Sequence, residues 1–353
     1  MFPTKVTEPF ALAGSGPVGK PANGYDYKPN VKFLAFWFAF LGLAPGASPA
    51  LAQESILVAS STSHSIERFS PTGTWIGTFA TTGPYEPVSL AQSPLTGEIF
   101  ASTLSAPGGN FLATILQYQK NGQFSANWST FTLPASEIPS TQSLLFDKSG
   151  NLWVATAYGF PVAQEGYPVT PISIYEYAAA SLAAANPSPV FTITTYLYRG
   201  NQMAFDAKGN LCISSWADET VRCFNPSTGA QTFDYNAEIL ASGLSIQPAG
   251  LAFDASDQLY LPSTFAGQVA YETVPHVGPI ALLGSGMTPE LSFIALKGGN
   301  LYVPTYNTSA GFNPDTVYEV NASTGAVTSF ITNHVWGAYQ LIFAELTPLC
   351  PGS

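Results

Sequence analysis

Reactive side chains are sparse in this 353-residue chain, and few of them stand at spacings that chemistry would use. Histidine occurs three times, at His64, His276 and His334. His64 and His334 with a carboxylate such as Glu86 or Glu290 would make three donors. A catalytic zinc takes that number and keeps a further position open. The plainer reading is that all three are ordinary surface histidines. Cysteine also occurs three times. Cys212 and Cys223 flank "ISSWADETVR", and a hairpin turning between Ala217 and Asp218 sets them opposite each other, close enough to bond. They read otherwise as two small buried apolar groups; an oxidising compartment favours the bond. Cys350 is left over near the C-terminus. No nucleophile elbow, phosphate loop, zincin helix or CxxC pair occurs.

Composition narrows what must position these groups. Charged residues are 9% of the chain, against about 25% in an average soluble domain. Aromatics are 13%, with 31 glycines and 29 prolines. So few charges cannot solvate a long helical bundle or an acidic disordered tail. Turn residues between short apolar runs predict many short strands. A net charge of −11 argues against nucleic-acid backbones as partners.

The first 52 residues read as a leader and signal peptide. "FLAFWFAFLGLA" (33–44) is uncharged but shorter than the roughly 20 residues a spanning helix needs. Lys28 and Lys32 precede it, and Ala50 and Ala52 stand in an A-x-A exit, which predicts cleavage before Gln53. Initiation at Val31 would make 31–52 a compact signal by itself. The expected product is secreted or periplasmic, with no membrane span after cleavage, a folded domain over 53–347 and a tail over 348–353.

Internal repeats organise that domain. One strand type ends in Ser or Thr six times: "ILVAS" (56–60), "IFAST" (99–103), "LWVAT" (152–156), "LCISS" (211–215), "LYLPS" (259–263) and "LYVPT" (301–305). A second type follows each, with Ile66, Ile115, Ile174, Val221, Val269 and Val317 in one column. All six are β-branched, as a stiff buried strand position prefers. An apolar strand precedes five of the units, and its sixth copy, "YQLIFAEL" (339–346), stands after the last. Four-stranded units of about 40–50 residues are propeller blades. The expectation is all-β: a six-bladed β-propeller closed by the C-terminal strand pairing into the first blade, which leaves no open edge.

"LLFDKSGNLWVAT" (144–156), "MAFDAKGNLCISS" (203–215) and "ILVASSTSHSIERFSPTG" (56–73) resemble NHL repeats. Asp147, Asp206 and Asp254 each precede a Gly- or Asn-type turn and read as caps of their own backbone. "YEPVSLAQSPLTGEIF" (85–100) is similar to the early segment of the SMP-30/gluconolactonase-type propellers. That resemblance implies an axial metal held by Glu, Asn and Asp. Here Glu86 stands one residue from the Glu position, Ala249 at the Asn position and Asn201 at the Asp position.

Connections between the two aligned strand types are long in units two, three and six, which together with unit one are consecutive around the closed ring. Loops on a rigid scaffold carry function. Tyr158, Phe160, Tyr167, Trp216 and Tyr306 fall on that face. Val88, Gln142, Asn201, Ala249, Ser292 and Tyr339 fall at the axial opening, and none is charged at neutral pH. His64 and His334 share this face, and His276 belongs to the other. Aromatics with few charges suit a neutral ligand. The leading expectation is an exported binding module for a saccharide, another neutral small molecule or a peptide or protein segment, without a cofactor. The alternative is a metal-dependent hydrolase, lactonase or lyase using Glu86, Asn201 and His64 or His334 with calcium or zinc. A structural envelope component is a third reading.

Overall fold

The computed structural model describes residues 52–103, 113–131, 138–159, 171–197, 200–306 and 315–347. Among them, twenty-four strands form six antiparallel sheets of four. Blade one holds β1 (Gln53–Ser60), β2 (Ser65–Phe69) and β3 (Trp75–Thr81). Blade two is β4 (Pro87–Gln92), β5 (Ile99–Thr103), β6 (Ala113–Tyr118) and β7 (Phe124–Phe131). Blade three is β8 (Ile138–Phe146), β9 (Leu152–Gly159), β10 (Pro171–Tyr177) and β11 (Phe191–Tyr196). Blade four is β12 (Gly200–Phe205), β13 (Leu211–Ser215), β14 (Thr220–Phe224) and β15 (Gln231–Asp234), followed by α1 (Asn236–Ala241). Blade five is β16 (Ala252–Phe253), β17 (Leu259–Ser263), β18 (Gln268–Glu272) and β19 (Ile280–Leu283). Blade six is β20 (Ala295–Lys297), β21 (Asn300–Pro304), β22 (Val317–Asn321) and β23 (Val327–Ile331).

The last strand, β24 (Ala338–Leu346), belongs to blade one, whose order is β24-β1-β2-β3. It pairs with β1 from Gln53↔Leu346 to Ser60↔Ala338. The C-terminal closure expected from the repeat therefore holds. The leader and signal read over 1–52, Val31 included, lie outside the described residues except for Ala52, and so does Cys350. Cys212 and Cys223 are directly paired across β13 and β14 and joined in a disulfide. The inner strands β16 and β20 are shorter than their sequence columns, "GLAFD" and "LSFIAL".

Burial explains the column pattern. All six β-branched residues, Ile66, Ile115, Ile174, Val221, Val269 and Val317, are fully buried. Each blade has a neighbour on both faces, so its strands are apolar on both sides. In β1, Leu57 and Ala59 pack with Leu90 and Ile99 of blade two. Ile56 and Val58, one residue out of phase, pack with Tyr302 and Val317 of blade six. The six apolar clusters correspond to the six seams. Truncating one such side chain to alanine typically costs about 2–5 kcal/mol.

Tight turns keep the strands in phase. Asp147 Oδ1 accepts from the Ser149 and Asn151 amides at 2.8 and 2.9 Å, and Asp254 Oδ1 from Ser256 and Gln258 at the same distances. Gly122, in the turn between β6 and β7, has φ +86°, and a Cβ there would stand 2.0 Å from the Phe79 carbonyl oxygen of blade one. Only glycine fits that approach.

Around the axis the inner strands are tied to one another by side chains. Gln340 Oε1 on β24 accepts from Ser89 Oγ and the Leu90 amide of blade two, at 2.7 and 2.6 Å. Ser89 Oγ in turn accepts from the Leu144 amide of blade three, and Ser143 Oγ from the Met203 amide of blade four. Gln202 Oε1 accepts from Leu251 in blade five and Ile294 in blade six, and its Nε2 donates to the Ile294 carbonyl. Ser292 Oγ donates to the Ala338 and Tyr339 carbonyls and completes the circuit. These groups satisfy the inner-edge backbone that no further strand covers. Replacing Gln340 with alanine strands the Leu90 amide and the Ser89 hydroxyl, a loss of roughly 1–3 kcal/mol. Urea unfolding of Gln340→Ala is expected to show a lower midpoint at unchanged slope; an unchanged midpoint contradicts the role of this belt.

Candidate functional site

Two faces of the ring differ in chemistry. On one lie the connections from the second to the third strand of each blade, together with the linkers between blades. Its short connections are described: 61–64 in blade one, 216–219 in blade four and 264–267 in blade five. Phe160 and Tyr167 lie outside the described residues. Tyr158 sits on β9 and Gln142 on β8, and only their backbones are described.

Four aromatic side chains on this face form two pairs. Trp216, in the blade-four connection, stands 6.2 Å from Phe265 in the blade-five connection, ring centre to ring centre. Phe265 is 56% exposed despite being wholly apolar. Sequence reasoning took Trp216 from an equally short turn and passed over Phe265. An apolar residue at the tip of a four-residue turn was the available signal. The second pair is Tyr306 and Tyr339, with centroids 4.3 Å apart and planes tilted by 34°. The Tyr306 amide donates to the Glu290 carbonyl at 2.8 Å. The Tyr339 carbonyl accepts from the Phe293 amide and Ser292 Oγ, which pins this pair beside the axis between blades six and one.

The histidines go separate ways. His64 occupies a left-handed turn position (φ 51°), and its Nδ1 is buried without a hydrogen-bond partner. His334 lies flat on Trp75, with centroids 4.0 Å apart and planes 8° apart. Among the described residues, the grouping of metal-capable side chains within ligand distance contains neither of them, nor Glu86.

Beneath the aromatic face the axis is closed by the glutamine and serine belt. Asn201 and Ser292 are buried there, and Gln202 and Gln340, one residue further along than Asn201 and Tyr339, are the side chains that cross between strands. The axial metal implied by the lactonase resemblance finds amides, hydroxyls and apolar groups at these strand starts, with Ala249 in place of a donor and Glu86 back in the linker before β4. Divalent ions want carboxylates or imidazoles, so the described axis does not fit that group. On the far side of the belt a cavity of about 550 Å³ runs toward the opposite face. Phe146, Phe205, Phe253 and Phe343 line it, and its polar lining is Gln92, Gln202 and Gln340.

The sequence matches no protein-family model and no curated protein. Solved structures resemble it at low identity. A Bacteroides caccae protein of unknown function superimposes with a TM-score of 0.61 at 16% identity, covering 83% of this chain and 100% of its own. A chain of a nidogen/laminin complex gives 0.57 at 15%, covering 82% and 98%. A Bacteroides uniformis protein provisionally named a 6-phosphogluconolactonase gives 0.51 at 13%, covering 83% and 100%. At such identities the likeness is one of fold, and that fold is the six-bladed β-propeller.

Proposed function

We propose that the chain is an exported binding module that takes a neutral ligand, a saccharide or a peptide segment, on its long-loop face. The open Phe265 ring beside Trp216 carries the reading, because an exposed apolar ring on a rigid scaffold offers stacking surface at little conformational cost. Tyr306 and Tyr339 add a second platform near the axis, and Gln142 and Asn201 are proposed as further ligand contacts. Tyr158, Phe160 and Tyr167, expected on this face from the repeat alignment, complete the proposed set of contacts. The hydrolase or lyase reading asks for metal-binding carboxylates at the axis and gains no support from the groups found there. Fold neighbours include both a partner in a protein complex and a named lactonase, so architecture does not choose between these classes.

Export is supported by the Cys212–Cys223 bond, which belongs in an oxidising compartment. Among the described residues no helix is long and apolar enough to cross a membrane. N-terminal sequencing of the chain from an exporting host is expected to begin at Gln53; a mature N-terminus within 1–30 contradicts the signal reading.

Ligand class is tested by a thermal-shift screen of neutral saccharides, lactones and peptides, followed by calorimetry on the strongest binder. Trp216→Ala and Phe265→Ala are each expected to weaken that binder by about tenfold, or about 1.4 kcal/mol, with melting temperature unchanged. Binding that ignores both substitutions, or turnover of a lactone, overturns the reading.

A further inference from the structure

Away from the long-loop face, three turns converge where blades four and five meet. Asp206 follows β12, Asp257 lies between β16 and β17, and His276 lies between β18 and β19. One ligand atom of each is within 4.8 Å of the other two. His276 Nε2 is 2.6 Å from Asp257 Oδ2. From the outside, every one of them is held by a further bond. Tyr235 Oη is 2.9 Å from His276 Nδ1, and the Ala207 amide donates to Asp257 Oδ1 at 2.8 Å. The Asn210 amide and side chain donate to Asp206 at 2.7 and 2.6 Å. A carboxylate oxygen that accepts one such bond keeps a second lone pair.

A separate observation indicates what is missing. Glu272, the last residue of β18, is fully buried. Its Oε2 accepts from the His276 amide at 3.2 Å, which brings the carboxyl to the same turn, while its Oε1 has no hydrogen-bond partner. Glu238 Oε2, on α1, is likewise buried without one. Among the described residues, the lysine or arginine paired with this group is Lys208, 3.7 Å from Asp257 and with a side chain 63% exposed. Four carboxyl groups thus share one seam with one outlying ammonium. Buried carboxylate oxygens left unpaired are costly, and a cation in the same seam offsets that cost.

We propose that this seam is a binding site for a divalent transition metal of the zinc class, with Asp206, Asp257 and His276 as its protein ligands. An imidazole among carboxylates suits zinc better than calcium or magnesium, which take oxygen alone. Three protein donors leave the remaining position of a tetrahedral ion to solvent. Tyr235, Ala207 and Asn210 play the orienting part that outer hydrogen bonds play around metal ligands. The ion takes the place of the hydrogen shared by His276 and Asp257 and ties one turn of blade four to two turns of blade five. This site is independent of whatever the long-loop face binds.

The test uses the full chain stripped of metal, titrated with Zn²⁺ by calorimetry and with Co²⁺ by absorbance. One Zn²⁺ per chain, a raised melting temperature and Co²⁺ ligand-field bands without thiolate charge transfer are expected. His276→Gln and Asp257→Asn should each weaken Zn²⁺ at least tenfold, whereas Cys350→Ser and His334→Gln should leave it unchanged. Each variant is melted in metal-free buffer. If a seam variant fails to fold, the Co²⁺ spectrum of the unaltered chain decides, since nitrogen and oxygen ligation supports the site and its absence overturns it. No Zn²⁺ bound at 100 µM, or equal affinity in a folded His276→Gln chain, also overturns it.

Discussion

The pairing of Ala338–Leu346 with Gln53–Ser60 is the contact on which the other seams depend. Every blade is apolar on both faces, so a blade without two neighbours exposes one of the six clusters. Closure joins segments nearly the whole domain apart in sequence: the Trp336 amide reaches Ser60 Oγ across 276 positions. That separation is less of a burden to stability than to rate. Loop-closure entropy grows by only about 0.6 kcal/mol for each doubling of length, whereas topologies rich in distant contacts fold slowly. The local hairpins within blades two to six form without this contact. Blade one is completed only when β24 pairs with β1.

The axis shows a second constraint. An innermost strand has one edge facing no partner, and its backbone groups need hydrogen bonds wherever water is scarce. Serine and glutamine side chains answer that need here, which is why Gln202 reaches two other blades and Gln340 reaches a third. Gly250 belongs to the same arrangement, since a Cβ on it would stand 2.5 Å from Gln202 Oε1. A neutral, self-satisfied axis leaves little for ionic chemistry. It moves the candidate chemistry outward, to aromatic turns on one face and to the blade-four and blade-five turns on the other.

Much of this architecture was legible before any coordinate. The β-branched column from Ile66 to Val317 and the displaced sixth inner strand rest on periodicity, and the Cys212–Cys223 pairing on the register of one hairpin; backbone geometry converts both into position. The belt was not legible in the same way. Asn201 and Tyr339 were picked out as axial, whereas the bridging side chains are Gln202 and Gln340. One residue along a strand changes which way a side chain points, and no repeat pattern marks the glutamines. The seam of Asp206, Asp257 and His276 was hidden for a different reason. Its members come from three turns, 50 residues apart between Ala207 and Asp257 and 19 between Asp257 and His276. Blade packing alone brings them together, and no local motif announces it.

The measurement that bears most directly on ring closure compares a chain ending at Gly337 with one ending at Thr347, by calorimetric melting and size-exclusion chromatography. Closure by β24 predicts that the longer chain melts in one sharp transition at its compact elution volume. It predicts that the shorter one elutes expanded or aggregated and loses that transition. A chain ending at Gly337 that stays compact and melts at the same temperature would contradict the account.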